Sequence, residues 1–252
     1  MPRFVALTLL AFSGPLIAAQ CTASSSPWRV PLVELYTSEG CSSCPPADRW
    51  MSKLATQQAG TEALVPLALH VDYWDYIGWQ DRFAQARFSA RQKEMVRLNQ
   101  SNVIYTPQVM LNGKDFRAWQ SDAFTRAVGA INRQPAQASI TLTLKPSDTH
   151  AMLVSANAKA RKGMALYIAV YENGLQSQIK AGENQGRQLH HDNVVREWYG
   201  PLAMDGAGHV MWQQIVHLAP DWLTSEMGIA AFIQNPETGE ILQAMRLAWC
   251  AD

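Results

Sequence analysis

The sequence predicts an α/β fold in its first half and a mainly antiparallel β fold in its second half. Between residues 31 and 71, strand-like apolar runs flank a segment with helical spacing, a pattern typical of a parallel strand–helix–strand unit. From residue 139 onward, short runs alternate between polar and apolar residues and are separated by turn signals such as Asn173-Gly174. We therefore expect two domains, at residues 20–134 and 138–252, joined by a short linker.

The composition excludes two classes of protein. Hydrophobic residues make up 48% of the 252 residues, which is too many for a disordered chain. Lysine plus arginine and aspartate plus glutamate each number 21, so the formal net charge is zero. The chain therefore lacks an overall electrostatic attraction to nucleic acid or to an anionic membrane, and neither is an expected partner.

The N-terminal residues 1–19 have the layout of a secretory signal peptide. Arg3 is followed by an apolar run that reaches Ala19 and is interrupted by Gly14-Pro15. No later run approaches the roughly 18 apolar residues of a membrane helix. We expect a periplasmic or secreted bacterial protein that is soluble after cleavage. Lipidation at Cys21 is the alternative, which the bulky Gln20 disfavours.

The first domain is predicted to begin with a strand, a helix and a second strand at residues 31–37, 45–55 and 63–71. The prolines Pro45 and Pro46 fit the first turn of a helix, because their missing N–H groups would be unpaired there anyway. The second strand is almost wholly apolar, as expected for a strand covered on both faces.

An insertion and a hairpin complete the first domain. The insertion, at about residues 72–100, holds an aromatic loop and a helical segment in which Ser89 and the glutamine three residues later form a predicted capping box. The pair Asn112-Gly113 is the strongest two-residue hairpin signal, and Ser121 is predicted to cap a last helix.

The cysteines suggest redox chemistry. In Cys41-Ser42-Ser43-Cys44, a cysteine just before a helix faces unpaired N–H groups and the positive end of the helix dipole, which lowers a thiol pKa. Cys41 would then attack a disulfide and Cys44 would resolve the mixed disulfide. An inert disulfide or half of a metal site remains an alternative. The other two cysteines, Cys21 and Cys250, are expected to pair with each other if the termini meet.

The order of these elements resembles the thioredoxin fold, with Thr106-Pro107 opening the hairpin. The resemblance implies that Pro107 is cis and lies against the disulfide, where it shapes substrate access. The chain also resembles the bacterial secreted thioredoxin-like proteins of domain-of-unknown-function family 1223. This likeness rests on the strings VELYTSEGCSSCPPAD, HVDYWDYIGW, FSARQ, YTPQV and GENQGRQLHHDNVVR. The family implies a thioredoxin-like domain with a C-terminal β extension, and no particular substrate.

Other residues are weaker candidates for a site. The resemblance implies that a carboxylate near Glu34 accepts the resolving thiol's proton, although a plain edge carboxylate is an equal alternative. Asp72 follows a strand at the edge where ligands collect, and it is a candidate acid or base. The rings of Tyr73, Trp74 and Trp79 form either a substrate-facing lip or, as we favour, packing for the inserted helix.

The most polar stretch of the second domain is residues 182–192. Arg187 is a candidate for binding a substrate carboxylate, and His190, His191 and Asp192 are a candidate metal site. A hairpin loop with surface histidines is the favoured interpretation, so no metal is expected.

We therefore expect a periplasmic thiol–disulfide oxidoreductase that needs no bound cofactor, only a thiol or disulfide substrate and a redox partner. One alternative is a binding or assembly module with a structural C-x-x-C. Another is a copper or zinc chaperone that uses Cys41, Cys44 and His70. The oxidoreductase prediction depends on solvent access to the Cys41 sulfur. The direction of electron flow is left open.

Overall fold

Strands dominate the computed structural model, which describes residues 20–57, 63–148 and 150–249. The signal peptide predicted at residues 1–19 lies outside these ranges. Within the described ranges, the helices are α1 (Pro45–Gln57), α2 (Ala86–Leu98) and α3 (Asp122–Asn132), with short 3-10 turns at Asp75–Ile77 and Thr224–Glu226. None of the described helices is long and apolar enough to cross a membrane.

The strands, in chain order, are β1 (Cys21–Ser24), β2 (Leu32–Thr37), β3 (Val65–His70), β4 (Gln108–Leu111), β5 (Lys114–Asp115), β6 (Ser139–Asp148), β7 (Ala151–Lys159), β8 (Ala165–Glu172), β9 (Leu175–Gln178), β10 (Gln188–His191), β11 (Val194–Ala203), β12 (His209–His217), β13 (Met227–Gln234) and β14 (Ile241–Ala248). The predicted mixed α/β composition, with extensive antiparallel pairing in the second half, is confirmed.

The strands form an eight-stranded sheet in the order β14-β13-β8-β11-β3-β2-β4-β5, a four-stranded sheet in the order β1-β6-β7-β12, and the hairpin of β9 and β10. The predicted parallel unit is present, because β2 pairs with β3 in parallel from Leu32↔Val65 to Thr37↔His70. In the larger sheet, β11 pairs with β3 at Val194↔Ala68. This sheet therefore runs across the boundary predicted at residues 134–138.

Alternation along β2 sends neighbouring side chains to opposite faces of the large sheet. Val33 and Leu35 pack with α1 and α3, whereas Leu32 and Tyr36 pack on the other face with α2. A further core fills the space between the two sheets. The face on which a β2 residue lies therefore decides whether it points toward α1.

Local signals located two of the three turn and cap features. The Asn112-Gly113 hairpin is confirmed, with positive φ at both residues (54° and 84°). Ser121 caps α3 by accepting the N–H of Ala123. The capping box at Ser89 is wrong, because α2 already begins at Ala86, after an extended Gln85.

Candidate functional site

The Cys41–Cys44 disulfide lies between the end of β2 and the start of α1. Cys44 immediately precedes Pro45, the first residue of the helix. The Cys44 carbonyl accepts the N–H groups of Ala47 and Asp48, at 2.8 and 3.1 Å. The first turn of α1 thus closes on the second cysteine of the motif.

The Thr106-Pro107 segment lies beside the disulfide, and its peptide bond is cis. The Ser43 hydroxyl oxygen is 3.3 Å from the Cys41 sulfur. The same hydroxyl donates to the Thr106 carbonyl at 3.4 Å. A single serine side chain therefore connects the sulfur pair with this segment.

Both cysteines are fully buried, with 0% relative exposure. The loop between β9 and β10 covers them from the second half of the chain. Asn184 donates to the carbonyls of Glu39 and Cys41, at 2.8 and 3.0 Å. Glu183 accepts the N–H of Ser42 at 3.0 Å. The solvent access required of the Cys41 sulfur is therefore absent in this conformation.

A group of buried ionisable side chains lies at the carboxyl ends of β2 and β3. His70 Nδ1 is 2.6 Å from an Asp81 carboxylate oxygen. His191 lies between Glu39 and Asp48, at 3.5 and 3.7 Å. Each of these residues is at least nine-tenths buried. Acidic and imidazole groups thus share one enclosed region behind residues 38–44, the segment between β2 and α1 that is here named the cysteine loop.

The electrostatics of this group follow from burial and pairing. Burial raises the pKa of Asp48, with His191 acting in the opposite direction. Burial alone would lower the pKa of His70, but the carboxylate of Asp81 reverses this and raises it overall. The same pairing lowers the pKa of Asp81 against the effect of its own burial. The pairing therefore favours the charged forms of both His70 and Asp81.

The histidines of the second half differ from the prediction. His190 is half exposed and lies 3.1 Å from Asp192, but His191 is 2% exposed, so the surface assignment is wrong for His191. It is buried because alternation along β10 turns it inward, toward α1. Among the described residues, no group of three or more His, Cys, Asp or Glu side chains is arranged to hold a metal ion.

Glu34, the predicted proton acceptor, is not brought to the cysteines. It lies on the face of β2 that points away from α1, and its carboxylate binds the Arg91 guanidinium at 2.6 Å. The Tyr36 hydroxyl also donates to it, at 3.2 Å. Arg91 lies over the rings of Tyr167, Trp198 and Phe232. The observed role of Glu34 is thus to balance a buried cation.

The remaining candidates are bound within the protein. Asp72 accepts the Ser89 hydroxyl at 2.5 Å, and Tyr73 donates to Gln92 at 3.0 Å. The other three candidates donate hydrogen bonds to residues around the disulfide: Trp74 to Thr106 (2.7 Å), Trp79 to Glu39 (2.8 Å) and Arg187 to Asn184 (3.0 Å). These contacts fit the packing interpretation of the aromatic loop.

Sequence reasoning missed the residues that enclose the motif: Glu39, Asp48, Asp81, Glu183 and Asn184. A partial signal existed in the polar string GENQGR. The predicted Cys21–Cys250 pair involves Cys250, which lies outside the described residues.

Comparisons with solved structures support the fold. A crystal structure of an Agrobacterium tumefaciens protein is 24% identical, with a TM-score of 0.65, over 90% of this chain and 98% of that one. HBP35 of Porphyromonas gingivalis is 15% identical, with a TM-score of 0.65, over 89% of this chain and 76% of that one. At these identities the likeness concerns the fold alone. No curated protein matches the chain.

The family model of a protein of unknown function, DUF1223, matches residues 32–234. This segment runs from β2 to the end of β13, so it includes the cysteine motif, the aromatic loop and the loop that covers the disulfide. The chain therefore belongs to the DUF1223 family.

Proposed function

We propose that this protein is an exported thiol–disulfide oxidoreductase whose N-terminal half is thioredoxin-like. In this proposal, Cys41 is the attacking sulfur, Cys44 is the resolving sulfur, and residues 72–100 are a helical insertion. The observation that carries the proposal is the disulfide at the start of α1, connected through Ser43 to the Thr106-Pro107 segment. The parallel pairing of β2 and β3 around α1 supports it further.

The proposed reaction exchanges one disulfide for another. In the reduced protein, the Cys41 thiolate attacks a substrate disulfide, and the displaced substrate thiolate takes up a proton. The Cys44 thiolate then attacks the Cys41 sulfur, which re-forms the Cys41–Cys44 bond and releases the second substrate thiolate. Two electrons pass to the substrate, and the reverse sequence oxidises a substrate dithiol. A separate redox partner restores the starting state, and no bound cofactor takes part.

The test is a pair of cysteine variants assayed for insulin reduction and for oxidation of a reduced protein. Cys41→Ser is expected to abolish both reactions. Cys44→Ala is expected to accumulate a mixed disulfide on Cys41, which mass spectrometry would detect. Arg49→Ala, an exposed change on α1, serves as the matched control. Wild-type rates in Cys41→Ser would refute the proposal.

The complete burial of both cysteines favours a second candidate, a binding or assembly module in which the disulfide is structural. The two functions differ in redox behaviour. A structural disulfide has a reduction potential below about −300 mV and exchanges slowly, whereas a catalytic pair lies above that value. Equilibration of the protein with dithiol buffers of known potential distinguishes them.

A further inference from the structure

The loop that covers the disulfide belongs to a hairpin with two distinct faces. In β9 and β10, Ser177, Leu189 and His191 are buried against the rest of the protein, while their neighbours along each strand are exposed. The loop that joins the strands, residues 179–187, is here named the cover. The base of the cover is therefore anchored by the buried side chains of β9 and β10. Its tip, at residues 183 and 184, contacts the cysteine loop.

We propose that the cover is a gate, and that Asn184 and Glu183 hold it closed over the Cys41–Cys44 disulfide. A thiol reaches Cys41 only when the tip of the cover separates from the cysteine loop. This inference rests on the proposed function for its role in exchange. The physical closure of the gate can be tested without it.

Asn184 is the principal latch. Its residue exposure is 0%, and its side-chain amide donates to two backbone carbonyls of the cysteine loop, those of Glu39 and Cys41. Buried amides and carbonyls must be paired, so both bonds favour the closed position. One of the two acceptors is the carbonyl of the proposed attacking cysteine itself.

Glu183 supplies the second contact, to the N–H of Ser42. The hydrogen bond from the Ser42 side chain, together with the one from its N–H, lowers the pKa of Glu183, which is exposed. An exposed contact of this kind is readily exchanged for water. The tip is thus held on the cysteine loop by one buried side chain and one exposed side chain.

The cover also keeps its own shape. Gly186 donates its N–H to the Ile179 carbonyl at 2.9 Å, and Arg187 donates to the Asn184 carbonyl at 3.0 Å. The N–H of Ile179 donates to the Arg187 carbonyl at 2.9 Å. Because these bonds lie within the cover, they keep the shape of the loop independently of its contacts with the cysteine loop.

The experiment measures how fast dithiothreitol reduces the Cys41–Cys44 disulfide in the protein without its predicted signal peptide. The released thiols are alkylated, and peptide mass spectrometry then measures how much of Cys41 and Cys44 has been reduced. Asn184→Ala should speed reduction roughly ten- to hundred-fold, the change in open population expected from losing the two hydrogen bonds to the cysteine loop. Asn184→Asp has the same size but no N–H donor, and it should also speed reduction.

Two controls isolate the opening of the cover. Gln185→Ala changes an exposed residue of the same loop and should leave the rate unchanged. Leu142→Ala lowers global stability from the distant four-stranded sheet, so it separates local opening from global unfolding. Circular dichroism establishes that each variant is folded. Wild-type reduction rates in both folded Asn184 variants, or equal acceleration in Leu142→Ala at matched stability, would overturn the gate.

The gate and the proposed function fail in different measurements. If Asn184→Ala accelerates reduction while Cys41→Ser keeps full turnover on protein substrates, the gate stands and the oxidoreductase proposal falls. If the Asn184 variants behave as wild type while Cys41→Ser is inactive, the gate falls and the oxidoreductase proposal stands.

Discussion

Replacement of Arg91 by alanine is expected to destabilise the protein by about 3–5 kcal/mol, because it leaves the Glu34 carboxylate buried without its counter-ion. The two side chains are only 5% and 1% exposed, and their charged atoms are 2.6 Å apart. In a chain of this size, each kcal/mol lowers the melting temperature by roughly 2–4 °C. The melting temperature should therefore fall by roughly 6–20 °C.

The assay is urea denaturation, supported by calorimetry, on a double-mutant cycle. Arg91→Met and Glu34→Leu each leave one buried charge without its partner, and each should be strongly destabilising. The double variant removes both charges at similar volume and should recover most of the loss. A loss below about 1 kcal/mol in Arg91→Ala, or additive losses in the double variant, would refute the interpretation of this pair as a buried ion pair.

A separate variant, Glu34→Gln, tests the face on which Glu34 lies. Because Glu34 points away from α1, Glu34→Gln should leave the pH dependence of Cys41 alkylation in the reduced protein unchanged. A shifted profile would instead restore the proton-acceptor role that the sequence resemblance implied.

The buried pair of His70 and Asp81 should stabilise the protein most between the ordinary pKa of an aspartate, about 3.9, and that of a histidine, about 6.5, because the pKa of Asp81 is lowered and that of His70 is raised. The raised pKa of His70 means that its stabilisation is complete below about pH 6.5 and is lost as pH rises through the folded-state pKa. Asp81→Asn should lower that pKa, because it removes the strongest influence that opposes burial, and an unchanged NMR titration of His70 would contradict this. Gly113→Ala should lower the free energy of unfolding, measured by urea denaturation, by at least about 1 kcal/mol. The reason is that the added Cβ would overlap the carbonyl oxygen of Gly239, and that φ at this position is +84°. A decrease below about 0.5 kcal/mol would contradict this prediction. Burial and the Asp115 hydrogen bond raise the pKa of Tyr105 to about 12. Asp115→Asn should lower the pKa of Tyr105 in an ultraviolet titration. An unchanged titration would show that the Asp115 hydrogen bond does not raise this pKa.

Local elements were readable from the sequence because their signals lie within a few residues. The periodicity of residues 45–55 indicated α1, and Asn112-Gly113 identified the β4–β5 turn from two residues. The shared sheet was not readable, since β11 meets β3 across more than 120 residues of chain, at Val194↔Ala68. No local pattern encodes which edge of a sheet a distant strand will join.

The same distinction applies to the candidate site: its short motifs were readable from the sequence, and its long-range contacts were not. Cys41, Cys44 and Thr106-Pro107 form compact motifs, and the sequence located them directly. Asn184 gained its role only through the long-range packing of the β9–β10 hairpin on the cysteine loop. For Glu34, a shift of one residue along a strand reverses the face, and the partner that decides its role lies 57 residues away.

The two prolines that open α1 bear on the direction of the proposed reaction. Pro45 and Pro46 occupy the first helical positions, where an N–H group would otherwise point toward a thiolate. The next two N–H groups, of Ala47 and Asp48, donate to the Cys44 carbonyl instead. The helix start thus offers fewer amide donors to a thiolate than a start without prolines.

The Ser43 hydroxyl oxygen lies 3.3 Å from the Cys41 sulfur, but it donates its proton to the Thr106 carbonyl. A weakly stabilised thiolate leaves the reduced pair less favourable relative to the disulfide, which lowers the reduction potential. We therefore expect a value between about −300 and −200 mV, on the reductant side of known exchange proteins. Equilibration with glutathione buffers measures it. A potential near −120 mV, that of a strong oxidant, would show that the thiolate is stabilised by groups other than the helix amides.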